Sequence, residues 1–508
     1  MSRVMVTTFA LAAFSCPLFA CGGSDGMKPE AVMPAGGAGA PAQPMQPPAA
    51  TAGSAPIDEP IAAAGTNAAK PPAQAGKGGT AGAMAGAAGV AGSKTTPPPA
   101  TGDMGLQRSS VAANSAPSIA DSDYASFISH INKFGLDLGQ KVAGGEYKQS
   151  NLIYSPLSAT IALSMTYAGA KGQTASEMKS VLGDTFAAGV FHTANNRLAR
   201  ELASRVTSRP MSGGNEHKIE LNIADSIFVD RSVTLQDPFL EVLGREYDSG
   251  VRTVDFIHAY EPARMGINAW VEEQTKDKIQ DLLPMDSIDE STRLVLVNAL
   301  YFYGSWLTPF VSGYTHDAAF KTLAGASVQV PTMNGGLRLQ YRAGDKFALA
   351  ELPYEGEKLR MTIVLPAAGE FETIRAQVSA AWLEQAVANL QPTLLSVSLP
   401  KFKMTVGSFR LTDGLKALGM KQAFTDSADL SGIATGIPLR ISDVVQKAFI
   451  AVDENGTEAA AATGVIVGTT SAPVEQPIPF TVDRPFLFFI RDANGVVLFS
   501  GHVVDPSK

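Results

Sequence analysis

Between Asp453 and Pro473 the chain reads DENGTEAAAATGVIVGTTSAP, and few folds can accommodate such a stretch. A polar turn, Asp453-Glu454-Asn455-Gly456, leads into Thr457, Glu458 and the alanines Ala459, Ala460, Ala461 and Ala462. The alanines favour helix, because Ala gives up no side-chain entropy. Val465, Ile466, Val467, Thr469 and Thr470 favour strand. On a period of two, Thr457, Ala459, Ala461, Thr463, Val465 and Val467 share one face, and none of them is charged. The acid Glu458 falls on the other face. The pattern predicts a segment that can stand as a loop and later enter a sheet with one side buried.

The rest of the 508-residue chain divides by composition. Met1 to Ala20 is expected to be a secretory signal: Arg3, then an apolar run from Val4 to Phe19 that is short for a membrane span. It ends in Leu18-Phe19-Ala20-Cys21-Gly22, which resembles a bacterial lipobox. That resemblance implies a lipid-carrying Cys21 as the mature N-terminus; the plainer alternative is an ordinary signal peptide with an incidental cysteine. Cys16, inside the signal, is the only other cysteine, so the mature chain has no disulfide to form. From residue 21 to 115 the sequence is Ala-, Gly- and Pro-rich, with no aromatic residue between Phe19 and Tyr124. Such a segment cannot offset its ordering entropy and reads as a disordered tether, its ends roughly 50 to 60 Å apart. The net charge of −8 and the lack of a Lys/Arg run argue against nucleic acid as a partner.

From residue 116 to 508 one domain is expected. Phe127, Ile131, Phe134 and Leu138 mark an amphipathic helix stopped by Gly144-Gly145. Ser155 can cap a helix whose first turn holds Pro156. Thr174 to Glu177 reads as a capping box for a helix closed by Gly183. Lys218 to Val229 and Leu294 to Phe302 read as strands, and Ile267, Trp270 and Val271 share a helix face. Later strands are expected over Ala348 to Leu352, Met361 to Leu365 and Leu394 to Leu399, with helices near Trp382 and over Leu411 to Leu418. Asn494-Gly495 signals a hairpin with positive φ at both turn positions. Helices gathered early and strands late predict an α+β fold with large antiparallel sheets.

Enzyme signatures are absent from the sequence: there is no Gly-x-Ser-x-Gly, no His-Glu-x-x-His, and His130, His192, His217, His258, His316 and His502 lack metal spacing. Neither a cofactor nor a metal is expected. A family resemblance is carried instead by a series of segments. Asn151 with Ser155-Pro156-x-Ser158, then Gly169-Ala170-x-Gly172, Ile267-Asn268-x-Trp270-Val271 and Asn298-Ala299-Leu300-Tyr301-Phe302-x-Gly304-x-Trp306 follow in order. Leu399-Pro400-Lys401-Phe402, Asp429-Leu430-Ser431-Gly432 and Arg484-Pro485-Phe486-Leu487-Phe488-Phe489-Ile490 complete it. With Val452 to Thr463 as a reactive-loop hinge, the chain resembles the inhibitory serpins over nearly all of its globular part.

That resemblance implies the serpin fold with an exposed reactive-centre loop, and a suicide substrate rather than an enzyme. The cleaved loop would enter the main sheet and trap a serine protease as its acyl-enzyme. Glu454, Gly456, Thr457, Glu458 and Ala459 to Ala462 would form the hinge, and family spacing puts the scissile bond at Thr470-Ser471, with Val467-Gly468 as the alternative. Ser155, Ser158, Asn298, Trp306, Lys401 and Gln446 correspond to positions at the joint and top of that sheet. Gln446 stands where the family usually has histidine, and Lys401 with Glu454 matches a pair expected on the surface. Trp306 and Phe310 are expected to serve structure rather than recognition. A small β-branched residue at the cleaved position suits elastase-like or subtilisin-like proteases, with cysteine proteases as a further class of target. The expected molecule is a monomeric lipoprotein, held by its anchor at the outer membrane or outer cell surface. The competing reading is a non-inhibitory serpin-fold binding lipoprotein.

Overall fold

The computed structural model describes residues 104–210, 216–405, 407–457 and 475–508, all within one compact unit. Cys21, Glu458, Ala459 to Ala462, Thr470 and Ser471 lie outside the described residues.

Two nine-stranded sheets face each other across the main core. Besides the short strands Thr207–Pro210 and Phe409–Arg410, which pair off its main path, the first contains, in chain order, β1 (Gly105–Gln107), β2 (Glu216–Asp230), β3 (Val251–Val254), β4 (Leu294–Ser305), β5 (Phe402–Thr405), β6 (Asp443–Asp453) and β7 (Gly456–Thr457). Their spatial order is β1-β3-β2-β4-β7-β6-β5. The second sheet ends in the hairpin Phe486–Asp492 and Val497–Val503, beside Leu152–Tyr154. Pairing is mostly antiparallel, as expected, but β4 and β6 run parallel, Val295 to Leu300 against Asp443 to Ala448.

Residue parity explains how the first sheet is covered. Even-numbered residues of β4 and β6 and odd-numbered residues of β2 (Leu296, Leu300, Ala448, Ile227) face the core between the sheets. The opposite parity (Val297, Ala299, Val445, Phe228) meets the helix Phe256–Gln274 through Ile267 and Val271. The middle of this sheet is therefore buried on both faces, which is why Leu294 to Phe302 is almost continuously apolar.

Helix α1 (Asp121–Ala143) buries Phe127, Ile131, Phe134 and Leu138 and stops at Gly144. Helix α2 (Pro156–Tyr167) begins where Ser155 Oγ accepts a hydrogen bond from Ser158 N (3.1 Å). Helix α3 (Gly172–Leu182) departs from expectation: its N-cap is Lys171, with no side-chain cap. Thr174 Oγ1 instead accepts from Asp429 N (2.9 Å), and Glu177 Oε2 accepts from Lys421 N and Gln422 N (both 2.7 Å). The supposed capping box ties distant chain to the helix. The final hairpin also differs, because only Gly495 takes a positive φ (87°). Gly495 N bonds Asp492 O and Asp492 N bonds Val496 O (both 3.0 Å), a three-residue loop.

The start of the fold is earlier than residue 116. Gly105–Gln107 pairs with Val251–Thr253 at the sheet edge, and Asn114 N donates to Arg245 O (2.8 Å). Composition alone hid this, since three backbone-paired residues need no apolar signature.

Candidate functional site

The hinge joins the sheet where β4 and β6 part. Above the Leu300–Ala448 pair the two strands separate, and β7 lies between their upper ends. It is antiparallel to both: Thr457 opposes Gly304 on β4 and Val452 on β6, and Gly456 opposes Ser305 and Asp453. Thr457 is fully buried, and its Oγ1 lies 2.7 Å from the Tyr354 hydroxyl. The sequence places Thr457 on the inward face; the structure shows it already docked there before any cleavage.

Small residues make the docking fit. A Cβ on Gly456 would lie 2.0 Å from Gly304 O, and one on Gly304 would lie 2.5 Å from the Phe302 ring. Tyr354 stacks on Trp306 at 4.6 Å between ring centroids, closing the floor beneath Thr457.

The turn ahead of β7 is fastened on several sides. Trp306 N donates to Asn455 O (2.8 Å), Trp306 Nε1 to Asp453 O (3.0 Å) and Phe310 N to Glu454 O (2.8 Å). Lys401 Nζ donates to Glu454 Oε2 (2.8 Å) and Thr315 Oγ1 to Glu454 Oε1 (2.7 Å). Glu454 is buried, so the pair expected on the surface is half interior. Burial alone would raise its carboxyl, but the bonds from Lys401 and Thr315 outweigh that and hold it below the usual glutamate range. Neighbouring Asp453 goes the other way, raised chiefly by burial.

Below the hinge, a polar cluster spans the joint between β4 and β6. Gln446 opposes Asn298 in the parallel ladder, and Asn298 opposes Asp225 on β2. Gln446 Oε1 accepts from Ser155 N (2.9 Å), while its Nε2 donates to Ser155 O (3.0 Å) and reaches Asn298 Oδ1 at 3.4 Å. Ser155 Oγ donates to Leu498 O (2.8 Å). Gln446, standing where the family usually has histidine, thus reaches Asn298 and the Ser155 backbone. Ser158 Oγ instead lies 2.5 Å from Asp225 Oδ1 and 2.9 Å from Asn298 Oδ1.

Ser155, Ser158, Asn298 and Gln446 thus come together at the joint, and Trp306, Lys401, Glu454, Gly456 and Thr457 at its top. Asp225, Thr315 and Tyr354 were missed from sequence. Asp225 left a readable signal, as the one acid in the inward series Ile219, Leu221, Ile223, Asp225, Ile227, Val229. Thr315 and Tyr354 left none.

Comparison with known proteins follows the same lines. Residues 129–506 match the family model described as Serpin (serine protease inhibitor). The chain is 37% identical over 382 residues to an uncharacterised serpin-like protein of Thermococcus kodakarensis, covering 75% of this chain and 85% of that one. It is 36% identical over 398 residues to Serpin-ZXA of Oryza sativa, covering 75% and 97%. Among solved structures, the insect serpin Serpin48 of Tenebrio molitor, described as highly specific, superposes with a TM-score of 0.65 at 32% identity, covering 76% of this chain and 99% of that one. With the family model spanning most of the sequence and the fold shared, the chain belongs to the serpin family of protease inhibitors.

Proposed function

We propose that this protein is a single-use inhibitor of serine proteases that traps its target by inserting the cleaved loop between β4 and β6. The observation that carries this reading is β7 itself: the hinge is already paired to both strands, with Thr457 buried beneath it. Extending the same register lays Ala459 to Thr463 along a seam that is buried on both faces. Only small side chains fit there, and the sequence supplies Ala459, Ala460, Ala461 and Ala462.

In the proposed reaction a protease serine attacks the carbonyl of Thr470, and the peptide bond to Ser471 breaks as the amine leaves. The loop then inserts and carries the acyl-enzyme with it, releasing strain stored in the native fold, a general behaviour for which serpins are themselves the usual example. Distortion of the catalytic geometry prevents deacylation. Elastase-like and subtilisin-like enzymes are the proposed targets, because Thr470 is small and uncharged. Cys21 is proposed as a lipid anchor, with the Ala/Gly/Pro-rich segment holding the domain away from an outer-membrane or cell-surface site.

The test is incubation of the folded domain with elastase-like, subtilisin-like and trypsin-like proteases, followed by denaturing electrophoresis. A protease-sized increment that survives boiling in detergent, with a released peptide beginning at Ser471, is expected. Cleavage without any such complex would leave a plain substrate, and the trapping reading would fall.

A further inference from the structure

The chain enters the domain at the opposite end of the main sheet from the hinge. Gly105 on β1 opposes Thr253 on β3, Thr253 opposes Val229 on β2, and Val229 opposes Leu294, the first residue of β4. The hinge residue Thr457 opposes Gly304, ten residues further along β4. At about 3.3 Å per residue, the two levels stand roughly 33 Å apart. Because β1 runs antiparallel to β3, Gly105 is its end nearer the foot of the sheet.

This entry point is firmly held. Thr253 Oγ1 donates to Gly105 O (3.2 Å), and Met104 packs against the core beneath the helix Phe256–Gln274. A Cβ on Gly250 would lie 2.3 Å from Gln107 O, so β1 passes where the neighbouring chain carries no side chain. Further on, Asn114 N donates to Arg245 O (2.8 Å), while Asn114 O accepts from Arg200 Nε (2.8 Å) and Asn196 Nδ2 (3.1 Å). Residues 104–114 are thus fastened to the sheet edge and to two helices, Val190–Ala203 and Asp237–Tyr247. A pull on the preceding chain is delivered at Gly105, not at α1.

The register of insertion leads to the same end. Each step along the loop moves one residue back along β4, so Val467 would reach Leu294 and Thr470 would lie three residues beyond the strand. From the seam to β1 there are four strand spacings, about 19 Å. A protease of about 230 residues is roughly 45 Å across, so one joined to Thr470 would reach over the entry point.

We propose that residues 21–103 are a spacer matched in length to the protease that must lodge between the anchored end of the sheet and the membrane. This rests on the readings that Cys21 carries the lipid and that the cleaved loop inserts. An approaching protease meets the hinge end, away from the anchor, and needs no room beneath the domain. Only the trapped protease does. The segment is rich in Ala, Gly and Pro with no aromatic residue, a composition that gives length without a fold. A flexible chain of that length has ends roughly 45 to 55 Å apart, enough to admit the protease. A much shorter link would stop insertion part-way or force it to peel residues 104–114 from the sheet edge and the two helices. Insertion races deacylation, so either delay releases active protease and a cleaved, spent chain.

The test compares the full lipidated chain on phosphatidylcholine–phosphatidylglycerol vesicles with a form lacking residues 30–103, whose link from Gly22 to Pro29 spans at most about 28 Å. An elastase-like protease should cleave both at the same rate. On vesicles the shortened form should give about tenfold less detergent-resistant complex per cleavage, the effect of breaking one or two hydrogen bonds along residues 104–114. In a Cys21→Ser background, with no membrane beneath the domain, the shortened chain should trap as the parent does. Gly/Ser repeats of equal length in place of residues 30–103 should restore trapping on vesicles. In the soluble complex, a benzophenone on Leu106→Cys, a position 47% exposed, should capture the trapped protease. One on Tyr314→Cys, next to the Glu454 partner Thr315, should not. Equal trapping on vesicles by long and short forms, loss of trapping by the short form in solution, or failure of the Gly/Ser form overturns the spacer alone. No complex from any form, the soluble parent included, would bring down the inhibitory reading and the spacer with it.

Discussion

Thr457 Oγ1 lies 2.7 Å from the Tyr354 hydroxyl, so the first inward residue of the hinge is hydrogen-bonded to the core before the loop is cut. Arginine at this position would place an uncompensated charge against a dry floor made by Tyr354, Trp306 and Phe302, at a cost of about 3 to 5 kcal/mol. Since about 1.4 kcal/mol is a factor of ten in rate, deacylation should outrun insertion. Thr457→Arg is expected to be cleaved at the same bond and to form no detergent-resistant complex. Glu458→Arg, with its residue on the outward parity, should still form one. Equal trapping by the two variants would show that the hinge does not enter the sheet in this register.

Gly456 gives a steric version of the same test. Its missing Cβ would sit 2.0 Å from Gly304 O and 2.8 Å from Ser305 Cα, both backbone atoms that cannot rotate away. Gly456→Ala should therefore displace β7 from the seam. Hydrogen exchange would report it, as loss of protection at Thr457 in the uncut protein with the Val295 to Leu300 amides still protected.

Much of this arrangement was legible beforehand, for physical reasons that differ from place to place. Ser155-Pro156 announced the start of α2 because capping is local chemistry, and Leu294 to Phe302 announced a doubly covered strand through unbroken apolarity. Thr174 and Glu177 misled because a capping box and a pair of long-range acceptors look identical in sequence. Tyr354 was invisible: nothing in its neighbourhood along the chain says that it will lie under Thr457, 103 residues away. Asp225 was visible as a break in an apolar alternation, but a strand's parity yields its meaning only once the facing helix is known.

Glu454 provides a pH test. Its carboxyl titrates below the ordinary glutamate value in the fold, so the tie to Lys401 and Thr315 contributes above that value and is lost as pH falls through the folded one. Lys401→Met should lower stability at neutral pH by about 1 kcal/mol, kept small because Lys401 is one-third exposed. The gap in thermal midpoint between parent and variant should close progressively as pH falls below the ordinary glutamate range. A gap that persists unchanged into acid would mean that Lys401 acts through packing rather than charge.

The anchor is tested separately from the trap. Cys21→Ser should move the protein from the membrane fraction to the soluble one while complex formation with protease continues at the parent's rate. A variant that still sediments with membranes would remove Cys21 as the attachment point.

Register fixes where each loop residue must arrive. The pairs Thr457↔Gly304 and Thr457↔Val452 are both antiparallel, so each step along the loop moves one residue back along β4 and β6. Thr463 would then reach the joint between Asn298 and Gln446, and Ala461 would oppose Ala448, a buried inward residue. Directly opposed residues on antiparallel strands have Cβ atoms about 4.5 to 5.5 Å apart, within reach of a short bis-alkylating reagent. In a Cys21→Ser background, Ala448→Cys with Ala461→Cys should therefore cross-link only after the loop has been cut. Ala448→Cys with Ala462→Cys should not, because residue 462 would emerge on the face covered by the helix Phe256–Gln274, where Ala299 lies. Cross-linking of the 448–461 pair in uncut protein would mean that insertion runs further in the native state than β7 shows, and cross-linking of 448 with 462 would shift the register by one and turn every side chain of the loop to the opposite face.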